Sequence, residues 1–317
     1  MGEYKKASIK PLSETVYGIG FHWTTWNVMP DGSSVPFEQA VASFDVEKFA
    51  AQAVECGAGH VLFTLNHAVH HLPCPSKAVD KILPGRTCKR DLIAELAVAL
   101  KAAGIKLILY YNHGTLPLQD PEWSNAMGLN DSNIMSARPA GYYNDYCAVI
   151  TELGERYGED VIAFWFDSGD CFHQDPACPW NRMTAAAKAG NPNRLVTYNT
   201  SIEQRTSFTE YQDYWAGEIC RLNYLPRENT TPSGDPLYSF TSWHFDIDHY
   251  GCGEWGLYKS NYSLPWPAPC VDSVAAYLQR FTERGAAVTF NLLCYQDGKA
   301  LESDLQVMRQ IKKLVRK

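Results

Sequence analysis

No run of eighteen or more apolar residues occurs in the 317-residue chain, so no membrane span is expected. Basic charge is also scarce. The 28 Lys and Arg stand against 35 Asp and Glu, a formal charge of −7, whereas a nucleic-acid partner needs a basic face. The first residues, MGEYKKASIKPLSE, contain no apolar h-region and therefore no visible secretory signal. A cytoplasmic full-length chain, or the mature form of an exported one, is the expectation. The 10 Cys make no CxxC pair and no regular spacing, which argues against a zinc ribbon or a disulfide miniprotein. They read mainly as buried thiols, with Cys171/Cys178 and Cys252/Cys270 near enough in sequence for one or two disulfides. No Gly/Ser linker or shift of composition marks a second domain. No GxGxxG follows the first strand, which removes the main support for a doubly wound dinucleotide-binding sheet.

What is present is an ordinary globular composition, 45% hydrophobic and 20% charged, with a generous 13% of aromatic residues. Strand and helix patterns alternate. Apolar runs without polar alternation mark strands at 16–21, 60–65, 105–111, 161–166, 194–199, 237–243 and 286–293, with a weak one at 211–217 counted sixth in order. Between and after them, helical spacing marks 44–58, 90–104, 139–158, 180–190, 271–285 and 301–315. Seven clear strands and one weak strand, regularly interleaved with helices, predict a (β/α)8 barrel formed by residues 1–317 as a single domain.

Active sites of such barrels form at the carboxyl ends of the strands. Past each strand in turn stand His22 and Trp23; Asn66 and His67; Tyr111, Asn112 and His113; Asp167; Asn199; Glu218; Trp243 and His244; and Asn291. Any one of these suits a satisfied core group or a loop cap, and Asp167, followed by Ser-Gly-Asp, also suits a helix N-cap. A whole ring of polar groups is another matter. Each unpaired buried polar group costs about 1–3 kcal/mol, so the ring implies a cavity that it lines.

Two chemistries fit such a ring. Asp167 and Glu218 at opposing strand ends suit a retaining glycosidase, in which one acid attacks the sugar and the other moves a proton across roughly 5–5.5 Å. His67, His70 and His71, joined by His22 and His113, suggest a metal-dependent hydrolase instead, although the first strand carries one His where such barrels usually carry HxH. A third reading is a carbohydrate-binding relic without turnover.

The order of segments resembles the α-L-fucosidases of glycoside hydrolase family 29 along almost the whole chain. GIGFHWTTW (18–26) resembles the family's first strand, in which a His-Trp pair opens the sugar pocket. FDVEKFAAQAVECGAGHVLFTLNH (44–67), PSK (75–77) and RDLIAELAVALKAAGIKLILYY (90–111) continue the likeness. ELGERYGEDVIAFWFDSGD (152–170) is similar to the nucleophile strand, with the family's WFDG as WFDS, and RGAAVTFNLLCYQDGKALESDLQVMRQI (284–311) to the closing strand and helix. The resemblance implies that Asp167 is the nucleophile. DYWAGE (213–218) implies Glu218 as proton donor, with Glu254 in reserve. It further implies His22, Trp23, Asn66, His67, Tyr111, Trp165, Trp243 and His244 as sugar contacts, with no metal or organic cofactor required. The departures are specific. The family's His-His after strand two is Asn66-His67 here, its Trp-Glu is Trp243-His244, and its C-terminal β-sandwich has no counterpart. Fucose or another L-sugar is therefore the expected substrate.

Overall fold

Strands covered on both faces need no polar alternation, and in this protein all seven residues of His60–Asn66 are buried. The computed structural model describes residues 4–67, 69–112, 119–244, 255–258 and 269–316. Among the described residues eight strands run parallel: β1 (Tyr17–Phe21), β2 (His60–Asn66), β3 (Lys106–Asn112), β4 (Val161–Asp167), β5 (Leu195–Tyr198), β6 (Glu218–Ile219), β7 (Tyr238–Thr241) and β8 (Ala287–Asn291). Their order in the sheet is β5-β4-β3-β2-β1-β8-β7-β6. The first and last strands are therefore neighbours, paired Tyr17 to Val288 through Gly20 to Asn291, as a (β/α)8 fold requires.

Alternate residues of each strand face two different cores. In β3, Ile108 and Tyr110 join the inner cluster while Leu107, Leu109 and Tyr111 join the layer between strands and helices. In β4, Ala163 and Trp165 point inward and Phe164 and Phe166 outward. Asp167 continues the inward row of β4, level with its register partner Asn112 on β3. In β1 the inward positions are glycines. A Cβ on Gly20 would lie 2.7 Å from the Phe240 ring, so only glycine leaves room for that ring inside the barrel.

The helices cover the outer layer where their caps start them. Asp45 accepts from Lys48 N at 3.0 Å to begin Val46–Glu55, and Asp91 accepts from Ala94 N at 2.9 Å to begin Leu92–Ala102. Short helices at Phe37–Ser43, Lys77–Ile82, Pro121–Ala126 and Gly169–His173 occupy stretches that sequence periodicity leaves as loops.

The sixth strand differs from the expectation at 211–217: among the described residues it is two residues long and begins at Glu218. The physical reason is a side chain that stands in for a ladder. Asp213 N donates to Val196 O at 2.7 Å, and the Asp213 carboxylate accepts from Val196 N at 2.9 Å. Thr197 Oγ1 then donates to Tyr214 O at 2.7 Å, so the seam beside β5 is held mostly by side chains. Gly217 turns the chain into β6 at φ 67°, where a Cβ would meet Tyr238 O at 2.1 Å. Cys171 and Cys178 are not bridged, and every described cysteine except Cys178 and Cys270 is buried.

Candidate active site

Asp167 ends the inward row of β4, and the strands on either side supply its partners. Its Oδ2 accepts from Tyr110 Oη at 2.5 Å and from Asn112 Nδ2 at 2.9 Å, both on β3. Its Oδ1 accepts from Asn199 Nδ2 at 2.8 Å, just past β5. These bonds tie the carboxylate to side chains rather than to a helix start. The chain leaves the strand sharply: Ser168 sits in the left-handed region at φ 56°, a conformation that favours glycine, and strain of this kind clusters at functional sites. At Gly169 an added Cβ would lie 2.7 Å from Asn199 O, so glycine lets the end of β5 approach the turn.

Glu218 opens β6 and pairs with Phe240 of β7. Its Oε2 also accepts from Asn199 Nδ2, so one amide nitrogen serves both acids. Ser201 N donates to Asn199 Oδ1 at 3.1 Å, which fixes the amide with its NH2 toward the carboxylates. The two hydrogens of an amide diverge by about 120°, so ordinary bonds on both put the facing oxygens roughly 5 Å apart. Burial, then the charge of Asp167, push the Glu218 carboxyl up to about 8, partly opposed by the Asn199 hydrogen bond. Glu218 therefore holds a proton at neutral pH beside a charged neighbour. Asp170, on the short helix after Ser168, is raised as well, by burial and by Asp167.

Aromatic and imidazole rings wall this centre. His22 lies parallel to Phe240 at 5.5 Å and meets Tyr110 at 5.0 Å, His67 at 5.5 Å and Trp255 at 5.1 Å. Asn291 Nδ2 donates to Trp255 O, which leaves Asn291 Oδ1 to face His22 Nδ1 at 2.9 Å. His22 Nδ1 thus carries the hydrogen and Nε2 keeps its lone pair. Burial drives its pKa down to about 3, and burial lowers His67 also, so both rings are neutral. Trp165 forms the floor, stacked on Tyr110 at 5.1 Å with its Nε1 donating to Ala216 O. Trp26, 37% exposed, stands edge-on to His67 at 6.3 Å and to Tyr258 at 6.1 Å.

The structure thus brings together Asp167, Glu218, His22, His67 and Trp165 from the sequence-based set. Four others turn away. Trp23 packs among Phe37, Phe44 and Phe63, with Nε1 on Gln296 O. Tyr111 points into the outer layer against Tyr146 and Phe166. Trp243 packs on Phe290, and His244 bonds Asp304 at 2.6 Å under the last helix. Trp23, Tyr111 and Trp243 have the wrong strand parity for a pocket contact, whereas His244 continues the row of Tyr238 and Phe240 and is held by Asp304 instead. Asn66 has the right parity, yet its amide is spent on the backbone of Asn112, donating to O at 2.6 Å and accepting from N at 3.2 Å. Glu254, His113 and Cys252 lie outside the described residues. Tyr110, which the sequence reading missed, and Asn199, which it placed in the ring of strand-end residues without a role, are direct partners of the acids. Of the histidines behind the metal reading, His70 stacks on Trp123 at 4.4 Å, His71 lies against Phe37, and His67 meets His22. Among the described residues no group of three or more His, Cys, Asp or Glu side chains converges.

A family model described as Alpha-L-fucosidase matches residues 3–250. No curated protein matches the chain at a significant level. Among solved structures, the alpha-L-fucosidase AlfC from Lactobacillus casei, in complex with alpha-L-fucose product, is similar with a TM-score of 0.65 at 17% identity, covering 98% of this chain and 99% of that one. A fucosidase from Bacteroides thetaiotaomicron, solved as a trapped covalent intermediate, gives a TM-score of 0.68 at 16% identity, covering 100% of this chain and 78% of its own. An endo-fucoidan hydrolase of glycoside hydrolase family 107 gives 0.67 at 15%, with 96% and 92% covered. At such identities the structural likeness is one of fold.

Proposed function

The chain belongs to the alpha-L-fucosidase family, and from that premise we propose that it is a retaining exo-glycosidase that releases a terminal α-L-fucosyl or related L-sugar residue. The observation that carries this reading is the single Asn199 nitrogen bonded to both Asp167 and Glu218. It implies a separation of roughly 5 Å, inside the range for a nucleophile and its acid and short of the roughly 6.5–9.5 Å that an inverting enzyme keeps for a water.

Asp167 is the nucleophile. Two donors already occupy Oδ2, whereas Oδ1 has one, so Oδ1 keeps the lone pair that attacks the anomeric carbon. Glu218, protonated at neutral pH, gives its proton to the departing oxygen. Water, deprotonated by the same Glu218, then cleaves the glycosyl ester with a second inversion, so configuration is retained. Neutral His22 accepts a hydroxyl on Nε2, and His67 bonds a second hydroxyl. Trp165 and Phe240 close the apolar side beneath the sugar. The trapped intermediate of the Bacteroides enzyme is in keeping with this double displacement.

The test uses aryl α-L-fucoside, with α-L-rhamnoside and galactoside panels beside it. Asp167→Ala should lose activity and regain turnover with azide as a β-configured adduct, while the wild type releases α-configured sugar. Full activity in Asp167→Asn, or inverted product from the wild type, refutes the assignment.

A further inference from the structure

We propose that Asn199 is a positioning residue that keeps the single negative charge of the carboxyl pair hydrogen-bonded as it passes between Asp167 and Glu218, and that it directs the acidic proton to Glu218 Oε1. The inference rests on the retaining reading above. The free enzyme holds Asp167 as carboxylate and Glu218 as acid. When Asp167 Oδ1 gives an electron pair to the anomeric carbon, the glycosidic bond breaks with its pair on the leaving oxygen, which takes the Glu218 proton. Asp167 is now a neutral ester and Glu218 a carboxylate. In the second step Glu218 removes a proton from water, the water oxygen bonds the anomeric carbon, and the ester pair returns to Asp167. One negative charge is present throughout, and it alternates between two groups.

A donor attached to only one of them would lose its charged partner at each step. Asn199 Nδ2 reaches both, at 2.8 Å from Asp167 Oδ1 and in contact with Glu218 Oε2, so one of its hydrogens always faces the charged group. Because Oε2 accepts that hydrogen, the acidic proton resides on Oε1, the oxygen turned from the bridge. The amide cannot flip without setting its oxygen against both carboxylates and its NH2 against Ser201 N–H. The surroundings hold it at a cost. Asn199 is buried with its N–H on Phe166 O at 2.7 Å, and Ser201 adopts φ 77°, left-handed backbone that is unfavourable for a serine.

The experiment compares Asn199→Ala and Asn199→Ser with the wild type on aryl α-L-fucosides with good and poor leaving groups, across the alkaline limb of activity. Asp167→Asn and Glu218→Gln are measured alongside. Loss of the amide that fixes the spacing of the two carboxyl groups should lower kcat about 10- to 100-fold with either leaving group, because both steps depend on that placement. The alkaline limb should move to higher pH, because the bond that favours ionised Glu218 is gone. Asn199→Ser carries the test should Asn199→Ala fail to fold. An unmoved limb, or a loss confined to one leaving group, overturns the bridge. If Asp167→Asn and Glu218→Gln stay active, the glycosidase assignment itself fails; if they are inactive while Asn199→Ala is not, the bridge alone fails.

Discussion

Tyr110→Phe removes one oxygen and leaves the ring stacked on Trp165, so it isolates the 2.5 Å hydrogen bond to Asp167 Oδ2. A hydrogen bond to a charged group contributes about 1.5–3 kcal/mol, and with Asn112 still on the same oxygen the lower part, about 1.5–2 kcal/mol, applies. The bond is strong while Asp167 is a carboxylate and weak once it is a glycosyl ester. Its loss therefore raises the free enzyme relative to the covalent intermediate, shifting that equilibrium about 10- to 30-fold toward the intermediate. If charge changes halfway at each barrier, glycosylation quickens and deglycosylation slows, each about three- to fivefold. Stopped-flow release from an aryl α-L-fucoside should show a larger burst and a slower steady rate, with more glycosylated protein in the quenched mass spectrum. Tyr111→Phe is the control, since that ring faces the outer layer, and it should change neither phase. A slower burst at an unchanged steady rate would refute the reasoning, because it would mean that the hydroxyl aims the nucleophile rather than stabilising its charge.

Glu218 offers a stability test. Its folded pKa of about 8 lies above its ordinary 4.5, so its favourable contribution is complete below about 4.5 and is lost as pH rises toward 8. Glu218→Gln should therefore gain more in Tm over the wild type at pH 8 than at pH 4.5, and an equal difference at both would contradict this. His244→Ala strips a buried partner from Asp304 and should destabilise by about 3 kcal/mol in denaturant titration while KM stays unchanged. A raised KM with normal stability would return His244 to the pocket. Gly169→Ala forces a Cβ to 2.7 Å from Asn199 O and should lower kcat about 10- to 100-fold by displacing the bridge from Asp167; unchanged kcat would show that the turn yields freely.

Most of the barrel is legible in the sequence, because parallel strands buried on both faces read as apolar runs and their helices carry caps such as Asp45 and Asp91. The same double burial hides which way each residue points. At Tyr110-Tyr111 both neighbours suit either face, and only the polar strand end breaks the tie: Asn112 stands level with Asp167, so counting back by two selects Tyr110. The rule also separates inward His22 from outward Trp23, since Gly18 and Gly20 precede His22 on the inner row. What no local period reveals is β6, because two residues cannot show one. That seam follows from Asp213, whose carboxylate takes the place of a neighbouring strand's carbonyl. Glu218 sits on this seam, joined to the preceding loop by its carbonyl, which accepts from Glu203 N at 2.8 Å, and to Asp167 by Asn199. A strand fixed by a long ladder would set the spacing of two acids by backbone register alone. Here side chains set it, which makes the spacing of Asp167 and Glu218 adjustable by single substitutions that leave the barrel standing.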